Sequence, residues 1–286
     1  MRTVLLSLAA FLAVITISPA QIAYESGGWI SLSSEGDKPK RLVKGVYPAF
    51  SPDGKSIAYN TEEEDGARHI AIYDLASGKS APVPNIPGDN SFGPSWSPDG
   101  KKLAFHIFNN DRWDIGIIGA DGSGFFRLPA KMEVWSPSWA PDGRSLYAHD
   151  MEAIYQISIE GQTLKTWPVS LFGPGASMSS GSSLAVSPDG KSLLIEIDGD
   201  EDVKIKDWDG PPPALWTIDL QTGARQRIGS RSLLAWSGCW ESATRIICNG
   251  ATEKKPTPAI YRITLPDGAF SLLLPNAMQP SVVPAQ

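Results

Sequence analysis

One ten-residue pattern recurs along this chain, and a repeat constrains a fold more tightly than composition does. Phe50-Ser51-Pro52-Asp53-Gly54-Lys55-Ser56-Ile57-Ala58-Tyr59 returns as Trp96-Ser97-Pro98-Asp99-Gly100-Lys101-Lys102-Leu103-Ala104-Phe105. It returns again as Trp139-Ala140-Pro141-Asp142-Gly143-Arg144-Ser145-Leu146-Tyr147-Ala148 and as Val186-Ser187-Pro188-Asp189-Gly190-Lys191-Ser192-Leu193-Leu194-Ile195. The prolines stand 46, 43 and 47 residues apart. A decayed fifth copy starts at Trp236-Ser237, which puts Trp96, Trp139 and Trp236 at one repeat position; it loses Pro-Asp-Gly and resumes at Arg245-Ile246-Ile247-Cys248. Each copy reads as an apolar strand, an Asp-Gly turn and a second apolar strand. Asp-Gly readily takes the positive φ angles of a tight hairpin.

A third strand follows each hairpin, as in Ile70-Ala71-Ile72-Tyr73-Asp74 or Leu215-Trp216-Thr217-Ile218-Asp219, and a short fourth strand follows that. With 27 Gly and 24 Pro in 286 residues, the chain is built for turns and short strands rather than long helices. Four antiparallel strands repeated every 40–45 residues or so define propeller blades. The third strand occurs six times and the first hairpin only five. The ends explain the deficit: Ile22-Ala23-Tyr24-Glu25 matches a second strand and Pro280-Ser281-Val282-Val283 matches a first. The expected fold is therefore an all-β, six-bladed β-propeller of four-stranded blades, closed between the N- and C-terminal strands, so that no sheet edge is left where the ends meet.

Residues 1–20 read as a signal peptide: Arg2, a mostly apolar run over 4–17, then Ser18-Pro19-Ala20. The propeller then spans 21–286, and no later stretch is apolar enough for a membrane span. A net charge of −6 offers no basic face for nucleic acid. The localisation expected is periplasmic or secreted.

The Trp-Ser-Pro-Asp-Gly-Lys-x-Leu-Ala-Phe repeat resembles the WD40-like repeat of TolB-type propellers over nearly all of 21–286. TolB itself carries an α/β domain before its propeller, for which no sequence stands between the leader and the first strand here. The resemblance implies a cell-envelope module that binds a protein or peptide partner. It also admits an enzyme, because some TolB-like propellers belong to pectin-fragment lyases.

In a meander, the Asp-Gly turns lie on one face of the ring and the loops between strands two and three lie on the other. The longer loops, read as 61–68, 107–113, 197–213 and 250–258, make the second face the place for binding. Asp53, Asp99, Asp142 and Asp189 read as turn residues. The residue ending strand two is polar in all six blades: Glu25, Asn60, His106, His149, Glu196 and Asn249. His69 opens a third strand near them. These residues, with the loop aromatics Trp113, Trp135 and Trp208, are the candidate binding set, Phe92 and Phe172 being placed on the same face. His106, His149 and Glu196 are the candidate metal ligands; the bland alternative is that strand ends are polar because they meet water. The acids Asp198, Asp200 and Asp202 resemble a calcium loop faintly, but Val203 stands where the glycine belongs.

No Gly-x-Ser-x-Gly elbow or phosphate-binding glycine loop is present. No cofactor is expected, and the ring is expected to act as a monomer. Cys239 and Cys248, the only cysteines, leave a disulfide open as a replacement for the lost turn.

Overall fold

The computed structural model describes residues 21–34, 38–109, 111–199, 205 and 208–283. The leader at 1–20 and the acids Asp200 and Asp202 lie outside the described residues. Twenty-four strands form six four-stranded antiparallel sheets. Blade I holds β1 (Ile22–Ser26), β2 (Trp29–Ser33) and β3 (Lys40–Lys44). Blade II holds β4 (Val46–Phe50), β5 (Ser56–Glu62), β6 (Arg68–Asp74) and β7 (Lys79–Pro82). Blade III holds β8 (Ser91–Trp96), β9 (Lys102–Asn109), β10 (Arg112–Gly119) and β11 (Phe126–Arg127). Blade IV holds β12 (Trp135–Trp139), β13 (Ser145–His149), β14 (Ala153–Ser158) and β15 (Thr163–Pro168). Blade V holds β16 (Leu184–Val186), β17 (Ser192–Asp198), β18 (Pro213–Asp219) and β19 (Arg225–Ile228). Blade VI holds β20 (Leu234–Ser242), β21 (Arg245–Thr252), β22 (Lys255–Thr264) and β23 (Phe270–Pro275).

The last strand, β24 (Met278–Val282), is the inner strand of blade I, pairing with β1 as Ile22↔Val282, Ala23↔Ser281 and Glu25↔Met278. The ends of the chain thus close the ring, as the half-repeats predict. Six apolar clusters hold it, each filling a seam between neighbouring blades. Ile57, Leu103, Leu146, Leu193 and Ile246, one repeat position, are all fully buried in them. Burial on both faces of every sheet is why these strands read as near-continuous apolar runs.

The Asp-Gly turns are structural. Asp53 Oδ1 accepts from the Ser51 hydroxyl at 2.7 Å and the Lys55 amide at 3.1 Å, while Gly54 takes φ +69°. The Ser51 hydroxyl and the Lys55 amide hold the Asp53 carboxyl below its ordinary range. The same contacts recur around Asp99 and Asp189.

A ring of bonds crosses the seams at mid-channel. The Trp96, Trp139 and Trp240 indoles donate to the carbonyls of Ala49, Ser95 and Ala185 on the preceding inner strand. Where the inner strand carries the smaller Phe50 or Val186, Ser281 or Ser138 of the preceding blade accepts its backbone N–H instead. At the remaining seam Cys239 packs in the apolar cluster that holds Val282 of the closing strand. Large donor and small acceptor thus replace each other around the ring.

Trp240, not Trp236, is therefore the partner of Trp96 and Trp139. It pairs with Ile246 as Trp139 pairs with Leu146, whereas Trp236 pairs with Asn249 at the other end of its strand. The fifth hairpin has lost its Pro-Asp-Gly turn and closes between Ser242 and Arg245, which displaces the repeat by four residues. The two cysteines are free thiols. Cys239 pairs with Ile247 and packs toward blade I, while Cys248 packs toward blade V.

Candidate functional site

The second face of the ring is shaped by a bulge near the start of the inner strands. Tyr47, Gly93, Ser136, Ser237 and Gln279 all take positive φ, between 48° and 68°, where the inner-strand register shifts. In four of the five cases proline follows. A bulge leaves one residue unpaired in its own ladder. Its N–H turns out to meet a side chain across the seam.

That side chain is the polar residue ending strand two of the preceding blade. Asn60 Oδ1 accepts from Gly93 at 2.8 Å, and His106 Nε2 accepts from Ser136 at 2.8 Å. Glu196 Oε2 accepts from Ser237 at 2.8 Å, and Asn249 Oδ1 accepts from Gln279 at 2.9 Å. Two blades depart from the pattern. His149 Nε2 lies 3.0 Å from the Ser182 carbonyl, and Glu25 turns back to accept from Gly28 at 2.7 Å. The N–H of Tyr47, which Glu25 would have caught, goes to Gln279 Oε1 at 2.7 Å.

Asn60, His106, Glu196 and Asn249, then, serve as buried acceptors for an inter-blade N–H rather than meeting water. Asn60, His149 and Asn249 are at most 1% exposed, and His106 and Glu196 are buried too. Burial pushes His106 down to about 3 and His149 down to about 4, so both rings are neutral at pH 7. Burial, with Asp198 nearby, pushes Glu196 up to about 7 against the Ser237 and Ser183 donors. Among the described residues no group of three or more His, Cys, Asp or Glu side chains is placed to hold a metal ion. His106, His149 and Glu196 each sit at a different seam.

The loops also differ from their reading. The 107–113 and 250–258 stretches are strand hairpins, paired out to Asn109↔Arg112 and Thr252↔Lys255. Pro256 and Pro258 lie within β22. Phe172 is buried against Trp216 in a short 3₁₀ helix (Val169–Phe172) joining blades IV and V, and presents nothing to solvent. His69 pairs with Thr61 and lends its carbonyl to Asn60. Trp208 lies against Trp236, ring centres 5.6 Å apart.

What does come together is an aromatic cluster over blades II to IV. Phe92 stacks on His106 at 4.5 Å and meets Trp113 edge-on at 5.2 Å. Trp113 continues to Phe108 at 5.1 Å and Trp135 at 5.9 Å, and Tyr47 lies 6.0 Å from Phe92. The Arg68 guanidinium sits 4.3 Å from the Phe92 ring centre and 5.7 Å from that of Trp113. Tyr47 and Phe108 are 40% and 38% exposed and are the exposed large aromatics among the described residues. Sequence reasoning placed Trp113, Trp135 and Phe92 together on this face and missed Tyr47, Phe108 and Arg68. Their common signal is the position flanking a bulge or overhanging the repeat, visible only once the register is known.

A six-bladed, four-stranded propeller, latched at its seams and bearing an aromatic patch on one face, is the class of protein these features define. A family model for the TolB beta propeller domain (PD40) matches residues 36–211, and the chain belongs to that family. Its sequence is 40% identical over 62 residues to the Tol-Pal system protein TolB of Alcanivorax borkumensis; the match covers 22% of this chain and 14% of that relative. Among solved structures, TolB from Acinetobacter baumannii aligns over 94% of this chain and 67% of its own, with a TM-score of 0.60 and 16% identity. A chain of a nidogen/laminin complex aligns over 92% and 98%, with a TM-score of 0.67 and 12% identity. At these identities the structural likeness is one of fold.

Proposed function

We propose that this protein is an exported, periplasmic propeller that acts as a monomeric scaffold, binding a protein or peptide partner through the face opposite the Asp-Gly turns. The observation that carries the reading is the Tyr47–Phe92–Trp113–Phe108 cluster with Arg68 laid over it. Stiff aromatics with an arginine are the residues that dominate protein interfaces, and they stand here on rigid strands. The acidic 62–65 loop borders the same face, so its rim is polar. Family membership supports an envelope role. Among the described residues no helix is long and apolar enough to cross a membrane.

The enzyme reading is not favoured: the polar residues it would use are committed to the seams, and no donor set for a metal is assembled among the described residues. Affinity capture from envelope extract, comparing wild type with Tyr47→Ala/Trp113→Ala, tests the proposal. A partner retained by wild type and by a turn-face variant such as Lys55→Ala, and lost by the double variant, is expected. Equal capture by the double variant overturns it.

A further inference from the structure

Arg68 stands directly opposite Glu62 in the β5–β6 ladder, a position from which cross-strand ion pairs form. Yet no carboxylate among the described residues lies within ion-pair distance of its guanidinium. The group turns instead over the Phe92 ring, 4.3 Å from its centre, and reaches within 5.7 Å of that of Trp113. Its Nε donates to Asn90 Oδ1 at 2.9 Å. The two terminal nitrogens meet no protein acceptor among the described residues and are not buried, so their N–H donors are open to a ligand. An arginine held on an aromatic ring keeps its charge and its fork of donors for an anion.

Phe92 is also part of the wall of the central cavity. That space, about 670 Å3, runs between the inner strands from Ser51 and Pro98 at the turn face to Tyr47, Phe92 and Trp236 at the aromatic face. Its volume falls in the range of roughly 300–1,000 Å3 typical of small-molecule sites. Trp96, Trp139 and Trp240 line it with prolines, serines and aliphatic residues, and none of the described side chains lining it is Asp, Glu, Lys or Arg. The Arg68 charge reaches this wall: burial and His149 hold the His106 ring below its ordinary range, and Arg68 adds to them. Gln279, on the same rim, turns Oε1 to the Tyr47 amide, which leaves its NH2 as a neutral donor.

We propose that the channel mouth binds an aromatic carboxylate, its ring against Tyr47 and Phe92 and its carboxylate on the terminal nitrogens of Arg68. The apolar wall takes the ring, and because it carries no counter-charge it leaves the carboxylate to the arginine. The site stands apart from the partner-binding reading, since its occupancy is measured on the protein alone.

The test is a calorimetric titration of the full chain with 2-naphthoate at low ionic strength. One saturable site is expected. 2-Naphthamide, neutral on the same frame, and acetate, a carboxylate without the ring, should each bind at least about tenfold more weakly. Arg68→Gln should lose about tenfold for 2-naphthoate and keep its affinity for 2-naphthamide. Acetyl-glycyl-phenylalanine, which presents the ring and carboxylate of a chain end, separates two sources of this chemistry. Tighter binding than 2-naphthoate assigns the site to a polypeptide C-terminus, weaker binding to a free aromatic acid, and both uphold the proposal. Unsaturable binding of 2-naphthoate, equal affinity for 2-naphthamide or acetate, or undiminished affinity in Arg68→Gln overturns it. The ligand comparisons need only wild-type protein and stand even if Arg68→Gln fails to fold.

Discussion

The side-chain oxygen of Asn249 accepts the backbone N–H of Gln279 at 2.9 Å across the seam where the last strand closes the ring. Gln279 passes the connection on, its own Oε1 accepting from Tyr47 at 2.7 Å. Two side chains therefore tie blade VI to blade I and blade I to blade II. Asn249 is 1% exposed, so its removal takes a buried acceptor from the Gln279 amide. Asn249→Ala should cost about 1–3 kcal/mol, measured by denaturant unfolding. Asn249→Asp keeps the oxygen but buries a charge, and should be no better at neutral pH.

Ending the chain at residue 278 removes Gln279, the Ser281 hydroxyl that accepts from Phe50, and most of the pairing with β1. It also exposes the edge of β1 and part of the blade VI–I cluster. The loss should be several kcal/mol, a fall in Tm of roughly 10 °C or more. A truncated protein melting with the full chain would contradict closure at this seam.

The mid-channel ring predicts a pattern of exchange. Ser138→Ala and Ser281→Ala should each cost about 1–2 kcal/mol by orphaning the amide of Val186 or Phe50. Burial, with Glu241 adding to it, pushes the Cys239 thiol up to about 12, and burial raises Cys248 as well. Both should resist alkylation in the native state and react once unfolded without reductant, giving two modified thiols by mass spectrometry.

Stability should depend on pH through three seam residues. His106 and His149 have folded pKa values near 3 and 4, below the 6.5 of an unfolded histidine. The unfolded state takes up protons first as pH falls through 6.5, so stability drops on the acid side, by about 2 kcal/mol per histidine at pH 5. Glu196 acts in the opposite sense. Its folded value of about 7 lies above the unfolded 4.5, so the native state holds a proton the unfolded state has released, and stability falls as pH rises from 4.5 through 7. Glu196→Gln should therefore raise Tm at pH 8 and leave it nearly unchanged at pH 4.5. Thermal melts from pH 4.5 to 8.5 measure both slopes.

The blade count, the turn role of Asp53 and its equivalents, and the closure through Ile22 and Val282 were legible in the sequence because each is local or repeats. Trp236 misled because the fifth hairpin lost the turn that marks register. Trp240 occupies the inter-blade position instead, donating to Ala185 at 3.1 Å. Asn60, His106, Glu196 and Asn249 were legible as a set but not in their role. Their partners are bulge amides 30 to 41 residues away, and nothing local announces a positive φ at Ser136 or Ser237. The aromatic patch was legible in Trp113, Trp135 and Phe92, and its remaining members escaped for the same reason. Tyr47 and Phe108 share no repeat position and meet only through Phe92 and Trp113.

The claim that partners are met on the aromatic face, and not on the turn face, has one direct test. Benzoylphenylalanine placed at Phe108 reports from the aromatic face, and at Lys101 from the Asp-Gly turns. Irradiation of the protein in cells should yield a discrete higher-mass adduct from position 108 and none from position 101. An adduct from position 101 alone, or equal adducts from both, would contradict the account.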